Sequence, residues 1–153
     1  VIKLWEGLTL TGIVAFIIAI WRFALFLKDR REKKLKEMPL DGVSYESLFE
    51  EYNDLTPLQK KKFTSSYKGV KVEWHVTFHT ITRTYRMGRL VRVMSQHGLL
   101  NYVIFKVDLK KFPIIKSAKE GDAFIVTGLV DKVEARTVNL KLIDIKKNKS
   151  FMF

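Results

Sequence analysis

Residues 70–79 read Val-Lys-Val-Glu-Trp-His-Val-Thr-Phe-His, and the period of that stretch decides the fold. Val70, Val72, Trp74, Val76 and Phe78 fall on one side, and Lys71, Glu73, His75, Thr77 and His79 on the other. Successive side chains of a strand point to opposite faces, so this alternation predicts a half-buried strand, long enough to curl. Towards the C-terminus, Leu90–Ser95 and Leu99–Asp108 read as a hairpin across Gln96-His97-Gly98. Phe112–Lys119 reads as a short helical or irregular crossover, and Glu120-Gly121-Asp122 as a turn. Ala123–Val133 and Val138–Ile145 read as a second pair of strands. Towards the N-terminus, Gly69 stops a helix that Thr56 caps and Pro57 opens. Before it, Ser44 caps a short acidic helix reaching Tyr52.

Five strands with a helix between the third and fourth is the order of an OB barrel. The predicted class is therefore all-β with helical additions: a five-stranded OB-type barrel preceded by two short helices and, further upstream, one N-terminal transmembrane helix. The stretch LTPLQKKKFTSSYKGVKVEWHVTF, Leu55 to Phe78, resembles the entry to OB domains of the bacterial tRNA-anti-like class. In that class a helix ending in Tyr-x-Gly leads straight into a V-x-W-x-V first strand. KSAKEGDAFIVTGLVDKV, followed by VNLKLIDIK, is similar to its fourth and fifth strands, where a Lys-x-Gly-Asp turn precedes V-x-V-x-G-x-V. The resemblance spans Leu55 to Lys146 and implies the barrel; it says little about a ligand. The arginine-rich segment Arg83–Arg92 and the apolar end Phe151-Met152-Phe153 depart from the class pattern.

The first forty residues have a different composition. Leu8 to Leu27 reads LTLTGIVAFIIAIWRFALFL, with Arg22 its only charge. About twenty apolar residues at 1.5 Å each give roughly 30 Å, the thickness of a bilayer's hydrocarbon core. That predicts a membrane-spanning helix with Trp5 and Trp21 near its two interfaces. Arg22 then either snorkels towards Lys28 or faces a neighbouring helix or a lipid phosphate. Lys28, Arg30, Arg31, Lys33, Lys34 and Lys36 follow the run, whereas only Lys3 among basic residues precedes it. This bias predicts a single-pass protein with its C-terminal domain in the cytoplasm or an equivalent compartment, and the same cluster suits anionic lipid. A bacterial inner membrane is preferred to an organellar one, although the charge bias does not separate the two. A cleavable signal peptide fits less well, because the basic residues come after the run and no A-x-A-like site closes it. The expected division is residues 1–37 as anchor with a basic juxtamembrane segment, 38–43 as linker, and 44–153 as the OB domain.

The chain carries 28 basic against 16 acidic residues, a formal charge of +12, which points towards anionic partners. It has no cysteine, so disulfides and cysteine-based metal sites are excluded. His75 and His79 share a strand face about 13 Å apart, too far to close one metal site. Neither a glycine-rich phosphate loop nor a nucleophile elbow is present. The expectation is a non-enzymatic protein with no catalytic residue, metal or cofactor.

Binding is better supported. Arg83, Tyr85, Arg86 and Arg89 are expected in the loop between strands one and two, with Arg92 on strand two. Tyr102, Lys106 and Arg136 extend the same face. Cations for phosphate interleaved with rings for bases suit a single-stranded nucleic acid. Trp5, Trp21, Arg22, Lys28, Arg30 and Arg31 are the lipid-facing candidates. Two functions follow. The first is a binding or assembly subunit of a membrane complex, whose partners are the lipid bilayer and other subunits or a second copy. It is favoured by Trp74 and Phe78 pointing inward and by the apolar tail. The alternative is a membrane-tethered sensor of single-stranded nucleic acid or a cyclic or linear oligonucleotide.

Overall fold

Strand β1 (Lys71–Tyr85) is 15 residues long because it serves two partners. Lys71–Thr77 pairs antiparallel with β4 (Ala123–Glu134), and Thr77–Tyr85 pairs with β2 (Leu90–His97). Register shifts between Phe78 and Thr80 and between Ile81 and Arg83 bend the strand from one partner to the other. From β2 the sheet continues antiparallel to β3 (Asn101–Asp108), which runs parallel to β5 (Thr137–Lys147); β5 returns antiparallel to β4. The ring closes in the order β1-β2-β3-β5-β4, with a 3-10 turn (Pro113–Ser117) between β3 and β4. This is the OB-type barrel that the strand order predicts. The computed structural model describes residues 10–98 and 101–148. Leu99, Leu100 and the Phe151-Met152-Phe153 tail lie outside the described residues.

Alternation along each strand fills the barrel. Val72, Trp74, Val76 and Phe78 of β1 are buried together with Val91, Val93, Val103, Phe105, Phe124 and Val126. Each such side chain contributes about 1.5–3 kcal/mol relative to exposure. Helices α2 (Tyr45–Asn53) and α3 (Pro57–Tyr67) add Tyr45, Leu48, Phe49 and Phe63 to the same core. Ser44 caps α2, accepting from the Ser47 N–H at 3.1 Å. At α3 the Thr56 N–H donates to Gln59 Oε1 at 2.9 Å, and Pro57 takes a first-turn position that needs no donor. Among the bonds that hold this helical segment to the strands, Trp74 Nε1–H donates to the Val43 carbonyl, just before α2, at 3.0 Å, and the Thr64 hydroxyl of α3 donates to the Val133 carbonyl at 3.3 Å.

The chain divides into two compact units, Val1–Met38 and Pro39–Phe153. The first contains α1 (Leu10–Glu37), a single 28-residue helix that carries the apolar run and the basic segment alike. Among the described residues no helix is long and apolar enough to cross a membrane. The expected transmembrane helix is therefore overturned. With it fall the membrane-protein class, the single-pass localisation and the argument for a cytoplasmic C-terminal domain. The reason is charge. Arg22 falls inside the apolar stretch, and Lys28 and Asp29 end it. Trp21, Arg22, Lys28, Arg30 and Arg31, expected to meet lipid, all lie on α1, and Trp5 lies outside the described residues.

Candidate functional site

The strands that fill the core also build an outer face. On β2, Val91, Val93 and Ser95 are buried, which turns Arg92, Met94 and Gln96 outward. On β3, Val103, Phe105 and Val107 are buried, which turns Tyr102, Ile104 and Lys106 outward. Register then aligns three cations across three strands: Arg83 of β1 stands opposite Arg92, and Arg92 opposite Lys106. None of the three has an ion-pair partner among the described residues.

Tyr85 completes this row. Its ring centroid lies 5.9 Å from the Arg83 guanidinium carbon and 5.3 Å from Lys106 Nζ, within reach of cation–π attraction on both sides. Hydrogen bonding from Arg83, with the positive charges of Arg83, Lys106 and Arg92, holds the Tyr85 phenol below its ordinary pKa. The result is an outward-facing ring braced by cations that have no carboxylate paired to them among the described residues.

The turn after Tyr85 is tight. Arg86 and Met87 take φ of +50° and +54°, followed by Gly88 at +83°. Left-handed backbone costs a non-glycine residue about 1–2 kcal/mol, so the surrounding structure must enforce it. Arg89 supplies the anchor. Its Nε and Nη2 donate to Asp108 Oδ1 and Oδ2 at 3.3 and 3.1 Å, and its carbonyl accepts from the Leu109 N–H at 2.9 Å. The Asp108 carboxyl is held below the usual range by the Arg89 hydrogen bond first and the Lys110 amide second.

These placements revise the expected site. Arg83 and Tyr85 are strand residues, because β1 runs on to Tyr85. They meet Arg92 and Lys106, with Arg86 in the adjacent turn. Arg89 is tied to Asp108 and its charge is already compensated. Tyr102 and Arg136 belong to the other end of β3, where the Tyr102 N–H donates to the Arg136 carbonyl at 2.9 Å. Tyr102 and Lys106 stand four positions apart on the same face, about 13 Å.

Sequence reading missed the other wall of this face. A groove of about 330 Å³ opens beside β3, lined by Arg92, Ile104 and Lys106 on one side and Asp131, Lys132, Asn139 and Lys141 on the other. Val130 pairs with Leu140 and Lys132 with Asn139, so Asp131 is the extra residue of a bulge. The bulge lets Asp131 and Lys132 both face outward between the buried Val130 and Val133. A signal existed: two valines three apart, with two charges between them, break the period of two. Lys141 lies 3.5 Å from Asp131, and Lys132 pairs with Glu134.

The histidines are engaged elsewhere. His97 contacts Glu46 Oε1 at 2.6 Å and the His75 carbonyl at 2.8 Å, and His79 contacts Glu120 at 2.8 Å. Among the described residues no group of three His, Cys, Asp or Glu is placed to hold a metal ion.

Closed five-stranded order and an outward basic face between the β1–β2 and β4–β5 turns define the class: an OB barrel whose basic face lies where that fold usually holds its ligand. The chain matches no protein-family model and no curated protein. Among solved structures it is similar to a proposed nucleic acid-binding lipoprotein from Klebsiella pneumoniae, at 16% identity and a TM-score of 0.51, over 72% of this chain and 92% of that one. It is also similar to a small single-stranded DNA-binding protein from Streptomyces coelicolor, at 13% identity and a TM-score of 0.41, over 54% of this chain and 96% of that one. A third likeness is to OBody AM1L10 bound to hen egg-white lysozyme, at 14% identity and a TM-score of 0.42, over 63% of this chain and 89% of that one. At such identities the first shows a shared fold alone, and the other two are too distant to add to it.

Proposed function

We propose that the chain is a non-catalytic OB-fold protein that binds single-stranded nucleic acid across the outer face of β1, β2 and β3. One observation carries the reading: the Tyr85 ring stands between Arg83 and Lys106, next to Arg92, with no carboxylate paired to any of them among the described residues. A single strand offers phosphates to such cations and unpaired bases to such a ring. The +12 charge adds a long-range attraction, and the Klebsiella protein of similar fold bears a nucleic acid-binding name. Anisotropy of a labelled oligothymidine tests it. Tyr85→Ala should weaken binding by about 5-fold or more, since one stacked base is worth about 1–3 kcal/mol, while Tyr85→Phe keeps most of the affinity. Equal affinity for all three proteins would remove the ring from the site.

A second reading has its own observation. Phe16, Trp21 and Phe23 of α1 are more than 60% exposed, an apolar surface that favours self-association. This retains the assembly role without a membrane. Light scattering of the full chain should then show an oligomer that Phe16→Glu with Ile20→Glu dissociates; a monomeric full chain rules it out.

A further inference from the structure

We infer that the groove between β3 and the β4–β5 pair is a base-reading subsite that selects guanine. This rests on the single-strand reading above and narrows it to a kind of sequence. Arg92 and Lys106 belong both to the cation row and to the groove lining, so a strand whose phosphates follow the row can turn one base into the groove. At about 330 Å³ the groove sits at the small end of ligand sites, room for one nucleotide rather than several. Ile104 offers an apolar surface to a ring face.

The far wall decides which base. Asp131 reaches it through the bulge, beside Asn139 and Lys141. A carboxylate only accepts hydrogen bonds, an ammonium only donates, and an amide does both. At 3.5 Å the Asp131–Lys141 pair is looser than the 2.7–2.9 Å of a tight charge-assisted bond, so both carboxylate oxygens can take further donors. The Asn139 side-chain amide makes no hydrogen bond within the described residues. Guanine alone among the bases presents two adjacent donors, N1–H and the 2-amino group, next to a carbonyl acceptor, O6. Asp131 matches the donor pair, and Lys141 or Asn139 matches O6. Adenine and cytosine offer one amine beside a ring acceptor, and thymine or uracil brings carbonyl oxygens against the carboxylate. Single-stranded bases are read on this edge because pairing does not cover it.

The test uses the full chain and oligothymidines carrying one central dG, deoxyinosine, dA or dC. The dG strand should bind at least about 5-fold tighter than plain oligothymidine, the lower bound for one two-point base contact. Deoxyinosine, which lacks only the 2-amino group, should lose most of that gain. In Asp131→Asn the ratio of dG to plain oligothymidine should fall to near one, with a thermal melt confirming that the variant is folded. Salt-dependent binding that is equal for dG, deoxyinosine and plain strands overturns the guanine assignment and leaves the single-strand reading standing. So does a dG preference that Asp131→Asn leaves intact. Absence of binding to every strand overturns both readings.

Discussion

Arg83, Arg92 and Lys106 stand in register with no ion pair among the described residues, and counterion release turns that arrangement into a slope. Each phosphate neutralised on a single strand adds about 0.7 to the dependence of log K on log salt. Three contacts give a slope near −2.1, or about an 18-fold loss of affinity between roughly 50 and 200 mM salt. Replacing Arg83 and Lys106 with glutamine leaves Arg92 and a slope near −0.7, or about a 2.6-fold loss over the same range. Any contact made by Arg86 adds equally to both proteins, so the difference of about 1.4 is the quantity to measure. Anisotropy titrations of a labelled oligothymidine at four salt concentrations give it directly. Arg89→Gln is the control, because Asp108 already holds Arg89 in a two-point ion pair. Its slope should stay with the wild type. A double variant that keeps the wild-type slope, or an Arg89→Gln protein that flattens as much, would show that phosphates do not lie along the row.

Gly128 packs so closely on β5 that an added Cβ would lie 2.9 Å from the Lys141 carbonyl oxygen and 3.2 Å from Leu140 Cβ. Gly128→Ala should cost about 1–3 kcal/mol and lower the melting temperature by several degrees; an unchanged melt would mean that the β4–β5 backbones yield easily. Ser95 is 1% exposed, and its hydroxyl has no hydrogen-bond partner among the described residues. Ser95→Ala should stabilise by about 1 kcal/mol in chemical denaturation, and a loss of stability would reveal a partner for that hydroxyl. Asp108, Asp122 and Glu46 have carboxyl pKa values lowered by Arg89, by the Lys119 amide and by His97 respectively. Their folded pKa values lie below the unfolded ones, so the stabilisation is complete above about pH 5 and is lost as pH falls below about 4 through the folded values. The denaturation midpoint should drop across that acid window, and less steeply in an Asp108→Asn, Asp122→Asn protein; an equal drop in both would remove these two carboxylates as its cause.

The barrel was legible where its signals are local. Val72, Trp74, Val76 and Phe78 are all buried, as a period of two requires. The register of closure was not legible, because Tyr102 meets Thr137 in a parallel ladder that no nearby residue type announces. The same distance hid the fate of Arg89, whose partner is 19 residues away. Arg83 and Tyr85 read as loop residues because the threonines around them blur the end of β1, and register alone brings them to Arg92 and Lys106. Asp131 and Asn139 escaped notice because a bulge, not alternation, puts them on one wall. The misreading of α1 has a different source: apolar composition was visible, but a span also needs length free of charge, and Arg22, Lys28 and Asp29 break it.

The parallel contact between β3 and β5 covers only Tyr102–Phe105 against Thr137–Leu140. Four rungs make this the shortest clasp in the ring, and two of them, Ile104–Asn139 and Phe105–Leu140, also line the groove. Cylinders sealed by one short seam open there first, so the amides of Tyr102 and Ile104, which point towards β5, should exchange before those of the longer β4–β5 ladder. A molecule resting in the groove touches both lips of that seam. Its occupancy would act as a rivet, slowing exchange at these few amides while the rest of the barrel keeps its own pace.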